Sequence, residues 1–208
     1  MLPLSLESWI PFAFATLAFA CMPGPAILYM SAQTLAYGHR AGLVAALGVH
    51  LGCYVHIAAA SVGLAALLHH APPVYSVIRF TGALYMLWLG GRMIFSANRQ
   101  QDTEDVAHHR RVLRDSFVVE VLNPKSALFF LTFLPQFVQP EAAFPIWLQF
   151  LILGTLVNGA FSIADLASVG ISSFASPLVS STRSHAWVSR ASGTILVGLS
   201  IAIMMRYV

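Results

Sequence analysis

The apolar residues of this chain come in six long runs. They fall at about Trp9–Leu35, Ala41–Leu68, Val77–Ala97, Ser116–Val138, Pro145–Ile171 and Ala191–Tyr207. Each run approaches or exceeds the roughly 20 apolar residues that a helix needs to cross a bilayer. The pattern predicts an all-α integral membrane protein of about six transmembrane helices. The connections are short except for Asn98–Asp115, a mixed-charge linker reading NRQQDTEDVAHHRRVLRD near the midpoint. It divides the chain into a first three-helix repeat at 1–97, a linker at 98–115 and a second three-helix repeat at 116–208.

Composition supports the bilayer as solvent. Of 208 residues, 58% are hydrophobic and 9% charged, against about 25% charged in a soluble domain. The net charge of +3 is too small to suggest nucleic acid as a partner, and the basic residues do not form one patch. Cys21 and Cys53 lie inside apolar runs without metal-ligand spacing, so neither a disulfide nor a metal or other cofactor is expected. No Lys or Arg precedes Arg40, so the charged start of a cleavable signal is missing.

The basic residues set the expected orientation. Arg40, Arg92, Arg99, Arg110, Arg111, Arg114, Arg183 and Arg190 fall in or beside the connections after the first, third and fifth runs. The opposite side holds Arg79 and Arg206. Cytoplasmic loops carry the excess of positive charge, so these three connections are expected in the cytoplasm and both termini outside. Three helices per half then turn the second half upside down relative to the first, the inverted repeat of many secondary transporters.

Both halves carry proline inside their first run: Pro23-Gly24-Pro25 in one, Asn123-Pro124-Lys125 in the other. Proline removes a backbone donor and clashes with the preceding turn. Its bland reading is a simple kink. A full break frees carbonyls at one half-helix end and amides at the other, groups that bind ions and zwitterions without a charged side chain. Lys125 adds a charge to the second break. An unbroken helix would carry it about 13 Å into its run, where an ammonium marks function. Glu120 is either an interfacial acid, a counter-charge to Lys125 or a proton carrier.

The second run carries Gly38, Gly42, Gly48 and Gly52 on one helical face, a small-residue seam for close packing of another helix. His56 lies on that seam, either as a packing histidine or as a proton relay. His50 points about 120° away from it. In the fifth run, Gly154, Asn158, Phe161 and Asp165 share a face. Asp165 is the acid of that run, a candidate for proton coupling or for pairing with Arg183 or Arg190 at the cytoplasmic mouth.

The PGP of the first run, the glycine-rich second and the stretch NPK-x-x-x-FF-x-x-x-x-PQF from Asn123 to Phe137 together resemble the LysE/RhtB family of bacterial amino-acid exporters. The resemblance covers essentially the whole chain. It implies efflux of an amino acid of the homoserine, threonine, leucine, lysine or cysteine type from the cytoplasm across the bacterial inner membrane. It further implies antiport against protons and a homodimer. Pro23, Gly24, Pro25, Asn123, Pro124 and Lys125 stand at the family's motif positions. Related exporters of divalent cations share this layout, so a metal cation stays open as cargo. An intramembrane enzyme is disfavoured, because no GxSxG, HExxH or paired-acid spacing is present. No GxxxxGK[ST] motif points to ATP.

Overall fold

A computed structural model describes residues 6–62, 72–96, 105–139, 142–175 and 182–205. These are all-helical, with no strand among them. Helix α1 (Leu6–Cys21) leads through Met22–Gly24 into α2 (Pro25–Tyr37), and the two axes meet at 46°. Pro25 takes the first helical position of α2, where its missing N–H costs nothing. Gly24 before it is extended, with φ −145° and ψ 179°. A single residue, Gly38, separates α2 from α3 (His39–Ser61); its φ of 85° suits glycine and strains other residues.

Helix α4 (Pro72–Ser96) follows, then α5 (Asp105–Val121), which a second break separates from the five-residue α6 (Pro124–Leu128). A π turn over Phe129–Phe133 and a 3-10 turn over Leu134–Phe137 continue it. Pro135 lies in that 3-10 turn. It has no N–H to give the carbonyl four residues back, so regular α geometry cannot persist there. Helices α7 (Ile146–Ala175) and α8 (Thr182–Met205) complete the chain.

The charged stretch Asn98–Asp115 is helical from Asp105 onward and runs without interruption into the fourth apolar segment. Local helix spacing and the pairing of Asp115 with Arg92 and Arg114 carry the helix beyond the apolar residues. Residues 98–104 lie outside the described residues. Three helical stretches, His39–Ser61, His108–Phe137 and Ile146–Ala175, are long and apolar enough to cross a membrane, and the bent pair α1–α2 makes a fourth. Helices α4 and α8 have 25 and 24 residues. The outer surface is apolar: Ile10, Phe14, Phe95, Ile163, Ile171 and Phe174 are each more than 70% exposed. Water would penalise that surface and lipid does not.

Helix α3 packs against both α5 and α7, and its glycines decide how closely. A Cβ on Gly48 would collide with the Ser116 hydroxyl and the Leu113 carbonyl, and one on Gly52 with Glu120 and the Phe117 carbonyl. Gly42 lies against Thr34 and Val169. On the α7 side, a Cβ on Gly154 would come within 2.9 Å of the Ile57 side chain. Helices α4 and α8 cross at Gly90 and Gly193. A Cβ on either would stand 2.7 or 2.6 Å from the other's carbonyl oxygen.

Candidate functional site

The two breaks lie against each other. Lys125 leaves the N-terminal end of α6 and its Nζ donates a hydrogen bond of 2.5 Å to the carbonyl of Met22, just past the end of α1. Its aliphatic stem covers Gly24, where a Cβ would come within 3.0 Å of Cδ. The ammonium lies 5.8 Å from the ring centres of Phe19 and Phe161, within reach of both π faces.

Each break leaves a carbonyl that a side chain serves. At the second, the carbonyl of Glu120 would ordinarily receive the N–H of residue 124, which is proline. The His56 Nε2–H fills that vacancy at 2.8 Å, helped by the Asn123 amide at 2.9 Å. His56 is buried and stacks on Phe130. At the first break, Lys125 serves Met22 in a comparable way. Asn123 caps α6 and also holds Glu120 of α5. Its Oδ1 accepts from the Lys125 amide at 3.1 Å, and its Nδ2 donates to Glu120 Oε2 at 2.9 Å. Glu120 is 2% exposed, so its carboxylate lies inside the protein.

Helix α2 presents an uncapped start to the same place. Its first helical bond runs from the Leu28 amide to the Gly24 carbonyl, and no side chain caps the turn. The amides of Ala26 and Ile27 thus begin a helix whose N-terminal end is electropositive.

A cleft brings these groups together. It is lined from α1–α2 by Ala20, Gly24, Ala26 and Ile27, and from α5–α6 by Glu120, Asn123, Lys125 and Ser126. Val49 of α3 and Phe161 and Asp165 of α7 close it. The cleft is partly open to solvent, and its interior volume is about 20 Å³, room for about one water, so a substrate must widen it on entering.

Of the predicted residues, Gly24, Asn123, Lys125, Glu120 and Asp165 line the cleft, while Pro23, Pro25 and Pro124 shape the breaks around it. His56, Gly48 and Gly52 stand behind it, where α3 meets α5. Asp165 is buried and faces His50, with Oδ2 3.8 Å from Nε2. The sequence assigns His50 no site, because it points away from the glycine seam. That same offset aims it at α7, where its Nδ1 meets Asn158 Oδ1 at 2.9 Å. The polar stripe of the fifth run was the signal that gives His50 its partners. The Lys125–Met22 bond had no signal in the sequence, because a main-chain carbonyl carries no residue identity.

Fold and composition thus define a multi-pass membrane protein built around broken helices. The chain belongs to the LysE type translocator family, whose sequence model matches residues 17–206. It is 30% identical over 141 residues to a protein of Klebsiella pneumoniae named leucine efflux protein, and 34% identical over 140 residues to one of the same name from an Enterobacter strain. Each alignment covers 66% of this chain and 66% of the relative, so the chain spans about two thirds of the length of these relatives. An uncharacterized membrane protein of Vibrio cholerae is 28% identical over 155 residues, covering 73% of this chain and 74% of that one. No solved structure matches the chain significantly. The family is one of translocators, not enzymes.

Proposed function

We propose that this protein exports a small apolar amino acid, of the leucine type, from the cytoplasm of a bacterium across its inner membrane, and that the cleft between the two breaks is the substrate site. One observation carries the reading: Lys125 spans the two breaks inside a cleft that also holds two carboxylates and an open helix N-terminus. A zwitterion needs anionic and cationic partners at once. The Ala26 and Ile27 amides and the Lys125 ammonium suit a carboxylate. Glu120 or Asp165 suits the ammonium. Ala20, Ala26, Ile27, Val49 and Phe161 leave an apolar remainder for an aliphatic side chain. The name of the two leucine efflux relatives supports that substrate class.

The reading includes an inverted repeat, in which α1–α2, α3 and α4 correspond to α5–α6, α7 and α8. Three observations favour it. Both broken helices restart on a proline at the first helical position, Pro25 and Pro124. The second helices of the halves, α3 and α7, pack on each other. The third helices, α4 and α8, meet through the reciprocal contact of Gly90 and Gly193, as a two-fold axis between them would produce. An exchange of protons for substrate is proposed as the energy source. A divalent cation as cargo finds less support, since no three His, Cys, Asp or Glu side chains among the described residues group closely enough to hold one.

The test is direct. Cells expressing the protein are loaded with leucine-containing dipeptides, and each free amino acid released is measured. Export of leucine or a similar aliphatic residue above the level of cells lacking the protein supports the reading. Unchanged release of every amino acid tested refutes it.

A further inference from the structure

At the α7 wall of the cleft, His50 and Asp165 form an arrangement that substrate binding alone does not explain. The amide of Asn158 is oriented by its Nδ2, which faces the His50 carbonyl at 3.5 Å. That leaves Oδ1 facing His50 Nδ1 at 2.9 Å. An amide oxygen accepts, so Nδ1 carries the ring proton. Ser162 steadies the same turn by donating to the Asn158 carbonyl. The Nε2 of a neutral ring is then a bare acceptor. It is buried and without a hydrogen-bond partner among the described residues, 3.8 Å from Asp165 Oδ2. An ionised carboxylate is likewise an acceptor.

Two buried acceptors therefore face each other, and neither has anything to donate. One proton placed on either of them removes the conflict. It gives the imidazolium and carboxylate a favourable ion pair, or lets the carboxylic acid donate to Nε2. We propose that His50 and Asp165 together bind the proton that this transporter exchanges for its substrate. The proposal rests on the cleft being the amino-acid site, and it assigns the coupling to a place in that site.

The surrounding charges explain why proton and substrate exclude each other. Glu120 of α5 and Lys125 of α6 are the charged groups that act on Asp165 besides His50. Cys53 of α3 lies in the field of both acids, and Cys21 at the end of α1 lies near Lys125. Tyr29 of α2 lies in the field of Asp115 and Arg92, and His56 is committed to the Glu120 carbonyl. With both acids ionised, the cleft holds two negative charges and one positive. A substrate ammonium pairs with Asp165 while its carboxylate goes to Lys125 and the α2 amides, so the zwitterion leaves that sum unchanged. A proton on the His50–Asp165 pair neutralises the same carboxylate and leaves the ammonium without that anion. On the cytoplasmic side the substrate displaces the proton into the cytoplasm; on the outer side an incoming proton displaces the substrate.

The experiment separates coupling from binding. Purified wild-type protein, His50→Gln and Asp165→Asn are reconstituted in liposomes, and transport of radiolabelled leucine is measured two ways. One is exchange of leucine for leucine without a proton gradient; the other is uphill movement driven by an imposed pH gradient. His50→Gln keeps the Asp165 carboxylate for the ammonium but loses the proton site, so exchange should remain and uphill movement should be lost. Asp165→Asn should lose uphill movement as well. His50→Gln that retains wild-type uphill transport overturns the proposal. So does a His50→Gln protein that loses exchange too, because the histidine would then belong to the substrate site. A second measurement needs no variant: leucine added to wild-type protein in weakly buffered detergent should release protons. Leucine binding without proton release overturns the proposal. Wild-type protein that neither binds nor exchanges leucine or any other amino acid instead refutes the reading of the cleft itself.

Discussion

Lys125 crosses from the second break to the first, where its ammonium holds the carbonyl of Met22. A lysine committed this way joins the two halves of the chain and still presents a positive charge to the cleft it borders. Removing it costs a charge-assisted hydrogen bond, worth about 1.5–3 kcal/mol, and the cleft's cation. Lys125→Ala is expected to insert and fold but to lose efflux. Lys125→Arg should restore little, since a planar guanidinium cannot replace a compact ammonium seated over Gly24. Efflux at the wild-type rate by a stable Lys125→Ala protein would count against the site.

Gly24 offers a milder probe of the same contact. A methyl group there meets the Lys125 stem at 3.0 Å, and a flexible side chain can yield. Gly24→Ala should therefore leave the amount of folded protein nearly unchanged while reducing transport, because it is the lysine that shifts. Reduced yield with normal transport per molecule would show that the backbone, and not the lysine, had moved.

The seam between α3 and α5 should behave in the opposite way. At Gly48 and Gly52 a side chain meets the Leu113 and Phe117 carbonyls, and main chain inside a helix does not yield easily. Overpacking of this kind costs about 1–3 kcal/mol, occasionally more. Gly48→Leu and Gly52→Leu are expected to lower the yield of folded protein, measured by fluorescence-detected size exclusion. Normal yield for both would argue that the helices stand further apart.

What the sequence disclosed follows from which interactions leave a local trace. The six apolar runs and both proline breaks were legible because hydrophobic length and missing backbone donors act on a single segment. The glycine seam was legible as a face, but not which helix it would meet. His50 escaped because its importance depends on Asn158 and Asp165, more than 100 residues away. Asp115 was read as one charge in a linker, yet it is fully buried against Arg92 and Arg114. Its partner on α4 is set by tertiary packing, which no spacing along the chain records.

That buried carboxylate gives a stability prediction independent of transport. Breaking a buried ion pair by removing one partner leaves the other charge uncompensated, at a cost of about 3–5 kcal/mol. Arg92 keeps a third of its side chain exposed and stacks near Trp88, so its stranded charge is partly hydrated and the lower end of that range applies. Asp115→Ala should reduce the thermal stability of the detergent-solubilised protein more than Asp115→Asn, which keeps a hydrogen-bond acceptor for Arg92. Equal stability of wild type and Asp115→Ala would contradict the pairing.

Orientation is tested at the same end of the molecule. Arg110, Arg111 and Arg114 lie in the first turns of α5, and Arg110 and Arg111 are exposed. With eight basic residues in or beside the connections on this side against two on the other, the stretch Asn98–Asp115 is expected in the cytoplasm and both termini outside. A single cysteine placed at Arg110, in a background without Cys21 and Cys53, should resist a membrane-impermeant thiol reagent in intact cells and react after permeabilisation. Labelling in intact cells would reverse the topology.

The last prediction concerns driving force, and it follows from charge balance at the His50–Asp165 pair. If one proton enters for each neutral zwitterion that leaves, every cycle carries one positive charge into the cell. Membrane potential must then contribute alongside the pH gradient. About 100 mV, negative inside, supplies about 2.3 kcal/mol per charge, and at about 1.4 kcal/mol per tenfold that sustains a leucine gradient of roughly 50-fold. In liposomes with no pH difference, a potassium diffusion potential of that size should drive uphill leucine movement toward the positive compartment. Reversing its sign should reverse the direction. In cells, an uncoupler should abolish uphill efflux while ATP remains. Efflux that persists against a gradient after uncoupling would exclude proton coupling. Transport that follows the pH gradient but ignores the potential would exclude a single uncompensated proton, and would require a second charge to move outward with the substrate.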